Sequence, residues 1–181
     1  MKPIAALLIA TALWGCAGDP ARVVVAPETS TMTVRTTARS VEIKEVSLPA
    51  YAKEDKIALQ NADGSVTSLE DSIWADEPER AMTNALVRNL TAITGRQIAA
   101  SPWPLRGFPD AELSVRVEQM LVQAGAGLLL TGQYAVGFES GAGQIKPFSI
   151  TVPVSATDQN GVAQAHDAAW RQLAERIAKD L

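Results

Sequence analysis

Apolar and polar residues alternate along most of this chain, and in two stretches the period lengthens from that of a strand to that of a helix. Across Ser40–Val46, Val41 and Ile43 alternate with Glu42 and Lys44, which predicts a strand with one buried and one wet face. Thr31–Thr36 has the same β-branched character. Ile57 and Leu59 lead into Asn61-Ala62-Asp63-Gly64, after which Val66 and Leu69 resume; this predicts a hairpin whose turn uses the left-handed conformation open to Gly64. A short strand is expected near Gln97–Ala99. Leu113, Val115 and Val117 then alternate with Glu112, Ser114, Arg116 and Glu118, and a second strand spans about 128–138, behind Gly125 and Gly127. After Gly141 and Gly143, Phe148, Ile150, Val152 and Val154 alternate with Ser149, Thr151 and Pro153, and Pro153 places that strand at an edge or at the end of its ladder.

The helical period appears first after Asp76 and Pro78, where Met82, Leu86, Leu90 and Ile93 share a face until Gly95 stops the run. Asp76 is the expected cap. The second helix covers about 162–178, with Trp170, Leu173 and Ile177 on one face. Pro102, Pro104, Gly107 and Pro109 fall within eight residues and define a loop that carries Trp103, Leu105 and Phe108. These elements predict a fold of the α/β (α+β) class: a single domain with an antiparallel-rich mixed sheet and two helices packed on one face.

The first fifteen residues stand apart. Lys2 is followed by an apolar run from Ile4 to Trp14, which is the anatomy of a signal peptide and roughly half the ~20 residues needed to span a bilayer as a helix. The junction Leu13-Trp14-Gly15-Cys16 resembles the lipobox of bacterial lipoproteins, with Trp14 standing where a small residue is usual. Gly15 offers the peptidase a small side chain beside the cut, and Cys16 is the expected lipid attachment, receiving a diacylglycerol and an N-acyl chain. Each buried methylene contributes about 0.8 kcal/mol, so two or more chains hold a protein firmly. Cys16 is the one cysteine in the sequence, which excludes an intramolecular disulfide. Residues 1–15 are read as signal peptide, 16–30 as a lipidated tether rich in small residues, Gly and Pro, and 31–181 as the folded domain, although Val23–Val25 also has the character of a strand start. Ala17, rather than Asp, follows the cysteine and favours the outer membrane by analogy with lipoprotein sorting.

Charge and chemistry narrow the function. Loss of Lys2 from the 16 basic residues leaves 15 against 20 acidic, and no basic block is interleaved with aromatics, so nucleic acid is set aside. His166, the single histidine, lies on the last helix without ligand-spaced partners and is read as a surface or hydrogen-bonded helix residue rather than a metal ligand or catalytic base. Gly125-Ala126-Gly127 is read as a turn, because Leu130 stands where a dinucleotide fingerprint needs glycine. Asp76, Glu77 and Glu79 are read as a solvated first helical turn. Trp74 and Trp170 are expected to pack helix against sheet. Trp103 is divided between core and interface, and with Leu105 and Phe108 it forms the candidate partner surface. The sequon Asn89-Leu90-Thr91 is read as coincidental because it lies within a helix.

Several segments together carry a family resemblance: Ser47-Leu48-Pro49-Ala50-Tyr51, Trp74-Ala75-Asp76-Glu77-Pro78 leading to Leu86-Val87-Arg88-Asn89-Leu90, Ser101-Pro102-Trp103-Pro104, Phe108-Pro109-Asp110-Ala111, and Phe148-Ser149-Ile150-Thr151-Val152-Pro153. In order and spacing they resemble the ABC-type transport auxiliary lipoproteins of the PqiC/YmbA kind, over about residues 31–181. Met32-Thr33-Val34 departs from the Tyr-rich element common at that place. The resemblance implies an outer-membrane lipoprotein on the periplasmic face, lipid-anchored and without catalytic residues. It also implies partners in an MCE-domain protein and inner-membrane transport components, traffic of lipid between membranes, and ring-like self-association as a homo-oligomer. A periplasmic carrier holding an acyl chain between helices and sheet is the alternative reading. An envelope hydrolase has only scattered carboxylates and hydroxyls behind it.

Overall fold

The computed structural model describes residues 19–25, 29–123, 125–154 and 158–181. The expected signal peptide, Gly15 and Cys16 lie outside the described residues. In chain order the elements are β1 (Ala21–Val23), β2 (Ser40–Ile43), β3 (Lys56–Gln60), β4 (Val66–Trp74), α1 (Pro78–Thr94), β5 (Gln97–Ala100), β6 (Ala111–Gln123), β7 (Gly127–Phe138), β8 (Gly143–Val152) and α2 (Gln159–Ile177). They form one mixed sheet of eight strands with two helices, the α+β class that the periodicity predicts.

β6 organises the sheet. One edge pairs antiparallel with β7 from Ala111↔Phe138 to Gln123↔Gly127, and β7 pairs antiparallel with β8. The other edge is shared. Its start takes β2 in parallel (Val41↔Ala111, Ile43↔Leu113), its middle touches Ser47 at Arg116, and its end takes β3 in parallel (Leu59↔Val122, Gln60↔Gln123). The sheet therefore forks: β5 lies outside β2, while β4 and then β1 lie outside β3. The long ladders are antiparallel and the parallel ones are short.

The apolar side of this sheet faces the helices. Leu113, Leu128, Leu130 and Ile150 are fully buried with Met82, Leu86, Leu90 and Ile93 of α1 and Trp170, Leu173 and Ile177 of α2. Burial of each such side chain contributes about 1.5–3 kcal/mol. Within β6 the alternation slips by one residue: Val117 opposes Gly132 and Gln119 opposes Thr131, so Glu118 and Gln119 are both exposed before Met120 and Val122 turn inward again. The bulge brings the strands so close that a Cβ on Gly132 would sit 2.1 Å from the Arg116 carbonyl oxygen. Only glycine fits there.

The helix boundaries follow their end chemistry. Pro78 occupies the first turn of α1, and Gly95 closes the helix at φ 64°. Asp76 does not cap, contrary to expectation; its carboxylate accepts the Glu77 N–H at 2.9 Å and pairs with Arg80 one turn on. α2 starts three residues earlier than its apolar period suggests, because Asp158 caps it by accepting the Gly161 N–H at 2.8 Å. Asn89 is buried, with its amide oxygen accepting the Ser30 N–H and its amide nitrogen donating to Ala85, so the sequon is closed to a glycan.

Three further expectations are corrected here. Thr31–Thr36 is not a strand: alternate side chains are half-buried, but the segment crosses the helix ends, with Val34 N–H donating to the Ile93 carbonyl. Alternation records one-sided burial whether or not a ladder partner exists. The folded domain begins before residue 31, since Ala21–Val23 pairs in parallel with β4 and both Val23 and Val25 are buried. His166 is not at the surface. It is 1% exposed, its ring meets Trp74 edge-on at 4.8 Å, and neither nitrogen has a partner among the described residues.

Burial lowers the His166 pKa from 6.5 to about 3, so the folded state keeps the ring neutral while the unfolded chain protonates. Unfolding then takes up a proton between those values, and stability is fully present above pH ~6.5 and declines on acidification. Chemical denaturation from pH 7 to 4.5 should show a loss approaching about 1.4 kcal/mol per pH unit. That slope should flatten in His166→Phe, and an unchanged slope would remove the histidine as its source.

Candidate docking surface

The loop 101–110 joins β5 to β6, and β2 lies between those two strands, so the loop must cross over β2. The helices occupy the other face, and the crossing is made on the open one. Ser40 and Glu42 are the outward residues of β2, and Glu42 lies directly beneath. Its side chain is buried rather than wet as the alternation predicts: Oε1 accepts the Trp103 N–H at 3.1 Å, and Oε2 receives Lys44 Nζ at 2.8 Å. Lys44 also reaches Glu112 at 3.4 Å. The hydrogen bond from Lys44 outweighs the desolvation that would raise the Glu42 pKa, and with Ser101 and the Trp103 N–H it holds the carboxyl below its usual range.

Both ends of the loop are pinned as well. The Ser101 N–H donates to the Ile43 carbonyl at 2.8 Å. At the far end Asp110 accepts the Arg39 N–H at 2.7 Å, and its own N–H donates to Ser40 Oγ at 2.9 Å. A proline-rich segment without a ladder of its own is thus fixed by polar contacts to one strand, and its apolar side chains are left to point outward. Phe108 is 85% exposed and Leu105 51%, while Trp103 is half-buried. The loop brings the three predicted residues onto one short segment and divides their roles. Trp103 anchors through its backbone, and Leu105 and Phe108 are presented to solvent.

Phe108 and Pro109 form one wall of a groove of about 330 Å³ whose other lining residues are Ala111, Glu112, Gly137, Phe138 and Glu139. Glu112 pairs across with Gly137, and Gly137 with Gly143, so the open face of the sheet is bare of side chains on two strands at this level. One row further along, Ile145 is 70% exposed opposite Ala135. Sequence reasoning did not select Ile145, although it lies out of phase with Phe148 and Ile150. Glu42 and Asp110 carried no local signal, because their role depends on which strand the loop crosses.

The remaining candidate chemistry is structural. Glu79 binds Lys53 at 2.8 Å and accepts the Leu48 N–H, and Asp76 is committed to Arg80. Among the described residues no three His, Cys, Asp or Glu side chains gather as a metal site, and no helix is long and apolar enough to cross a membrane. The helix–sheet interface that an acyl chain would have to enter is occupied by Leu86, Leu90, Trp170 and Leu173, all fully buried.

Replacement of Glu42 by Gln keeps an acceptor for Trp103 but removes the charge that holds Lys44. Amide exchange should accelerate over the loop 101–110, and Trp103 emission should shift to the red while the helices stay protected. Unchanged exchange across the loop would show that the buried carboxylate is not its anchor.

Two solved structures share this fold. A crystal structure of a protein described as uncharacterized superposes with a TM-score of 0.68 at 16% identity, covering 82% of this chain and 98% of that one. A Xanthomonas campestris protein assigned to the DUF330 family superposes with a TM-score of 0.67 at 15% identity, covering 86% of this chain and 92% of that one. No curated protein sequence matches the chain. The family model described as ABC-type transport auxiliary lipoprotein component matches residues 24–178.

Proposed function

Because the chain belongs to the ABC-type transport auxiliary lipoprotein component family, we propose that it is a non-catalytic accessory of an intermembrane lipid transport system. In this reading acyl chains on Cys16 hold it on the periplasmic face of the outer membrane, where it docks the tip of an MCE-domain tunnel served by inner-membrane transport components. The family match over residues 24–178 carries the proposal. Leu13-Trp14-Gly15-Cys16 supports the anchor. The exposed Leu105 and Phe108, on a loop braced to β2, support docking through an apolar contact, since a loop whose backbone is already pinned has less freedom left to lose on binding.

A direct test expresses the full chain beside an envelope MCE protein. The wild type should incorporate labelled palmitate, sediment with membranes and co-purify with the MCE protein. Cys16→Ser should abolish the label. The double variant Leu105→Ser, Phe108→Ser should keep the label and its melting temperature while losing at least tenfold in co-purification. Undiminished co-purification would remove the loop from the account, and palmitate missing from the wild type would remove the anchor.

A further inference from the structure

The register of the sheet fixes where the anchor leaves the domain relative to the exposed loop. β1 is parallel to β4, β4 antiparallel to β3, and β3 parallel to β6, so β1 runs against β6. Ala21 pairs with Ser72, and Ile73 pairs with Lys56, three residues before the Leu59–Val122 pair, which puts Ala21 at about the level of residue 120 of β6. The chain before Ala21 therefore departs toward the C-terminal end of β6. The start of α2 lies at this same end: Val152, the last residue of β8, pairs with Leu128, and Arg22, Ser72, Asp158 and Asn160 line one shared cleft. The loop 101–110 and the tip of the β7–β8 hairpin lie at the opposite end, where Ala111 meets Phe138. Some nine residues of β6 separate the two levels, which at about 3.4 Å per residue is roughly 30 Å.

We infer that the membrane-anchored protein stands with the turn 61–65 and the start of α2 toward the bilayer and holds Leu105 and Phe108 away from it. This rests on the lipid anchor at Cys16 proposed above. From Cys16 to Ala21 the chain spans five residues, at most about 18 Å when fully extended. That reach is shorter than the separation of the two ends, so the domain cannot be inverted with its loop in the lipid. Asp63, Glu70, Asp71 and Asp158 outnumber Arg22 and Lys56 on the anchored end and its adjoining strands, so this end meets the membrane through its tether and not through attraction to anionic headgroups. The apolar loop then serves a protein on the periplasmic side, and it is not a wedge that inserts among acyl chains.

Acylation of the lone cysteine makes any introduced thiol unique, which allows a depth measurement on the full chain. Ala62→Cys in the turn 61–65 and Arg106→Cys beside Leu105 are both exposed positions. Each would be given a fluorophore and reconstituted into phosphatidylethanolamine–phosphatidylglycerol vesicles containing a headgroup-nitroxide lipid. The label at 62 should be quenched severalfold more than the label at 106. Equal quenching, or stronger quenching at 106, in protein that floats with the vesicles overturns the orientation while leaving the anchor in place. Protein that fails to float overturns both.

Discussion

β6 has one edge for a single partner and one edge for two, and the shape of the molecule follows from that division. Thirteen residues give it a length that neither β2 nor β3 can match, so the segment 40–60 accompanies it in two pieces with an excursion between them. The excursion frees the edge strands to diverge, with β5 beyond β2 at one end and β4 and β1 beyond β3 at the other. Backbone polar groups along a buried strand must be paired, and the Ser47–Arg116 bridge helps meet that demand where β2 has ended and β3 has not begun. Gly132 is the steric counterpart on the opposite edge, since the bulge that lets β6 curve leaves no room for a Cβ.

The helices take one face of this sheet, and a crossing between parallel strands must then be made on the other. Such connections usually cover the sheet with a helix; here ten residues of loop do so, and they are too few to build a core of their own. The loop is held instead by one buried carboxylate and the pinned ends around it. Replacing water around Glu42 is costly, and Lys44 together with the Trp103 N–H offsets that cost. The consequence is a rigid base below Trp103 and an apolar tip above it. The inner face tolerates a different irregularity: His166 and the indole nitrogen of Trp170 sit in the core unpaired among the described residues, and burial holds the first of them neutral.

Much of the architecture was legible because long elements write their period into the chain. Met82, Leu86, Leu90 and Ile93 marked α1 to within a residue or two, and Gly64 marked the β3–β4 turn. β6 looked shorter than it is, since the bulge at 117–119 shifts the phase of burial halfway along. Thr31–Thr36 looked like a strand because packing across helix ends imposes the same alternation as a ladder. Glu42 looked solvated, since nothing local to β2 announces that a segment sixty residues later will cover it. The candidate surface was half legible. Proline spacing located the loop and its aromatic residues, but the division between a pinned Trp103 and an exposed Phe108 depends on tertiary contacts.

On the proposed reading the anchor and the loop complete one another energetically. Two exposed side chains such as Leu105 and Phe108 offer a few kcal/mol of apolar burial, whereas free association of two proteins costs roughly 4–15 kcal/mol in lost translation and rotation. A patch of that size is too small to hold a partner drawn from solution. Confinement to a membrane raises the effective concentration of the domain at any structure that reaches that membrane, and part of the entropic cost is then met in advance. The short connection before Ala21 strengthens this effect by limiting the volume the domain can explore. A longer or detached domain, with the same loop and the same fold, would dock more weakly although no contact in the interface had changed.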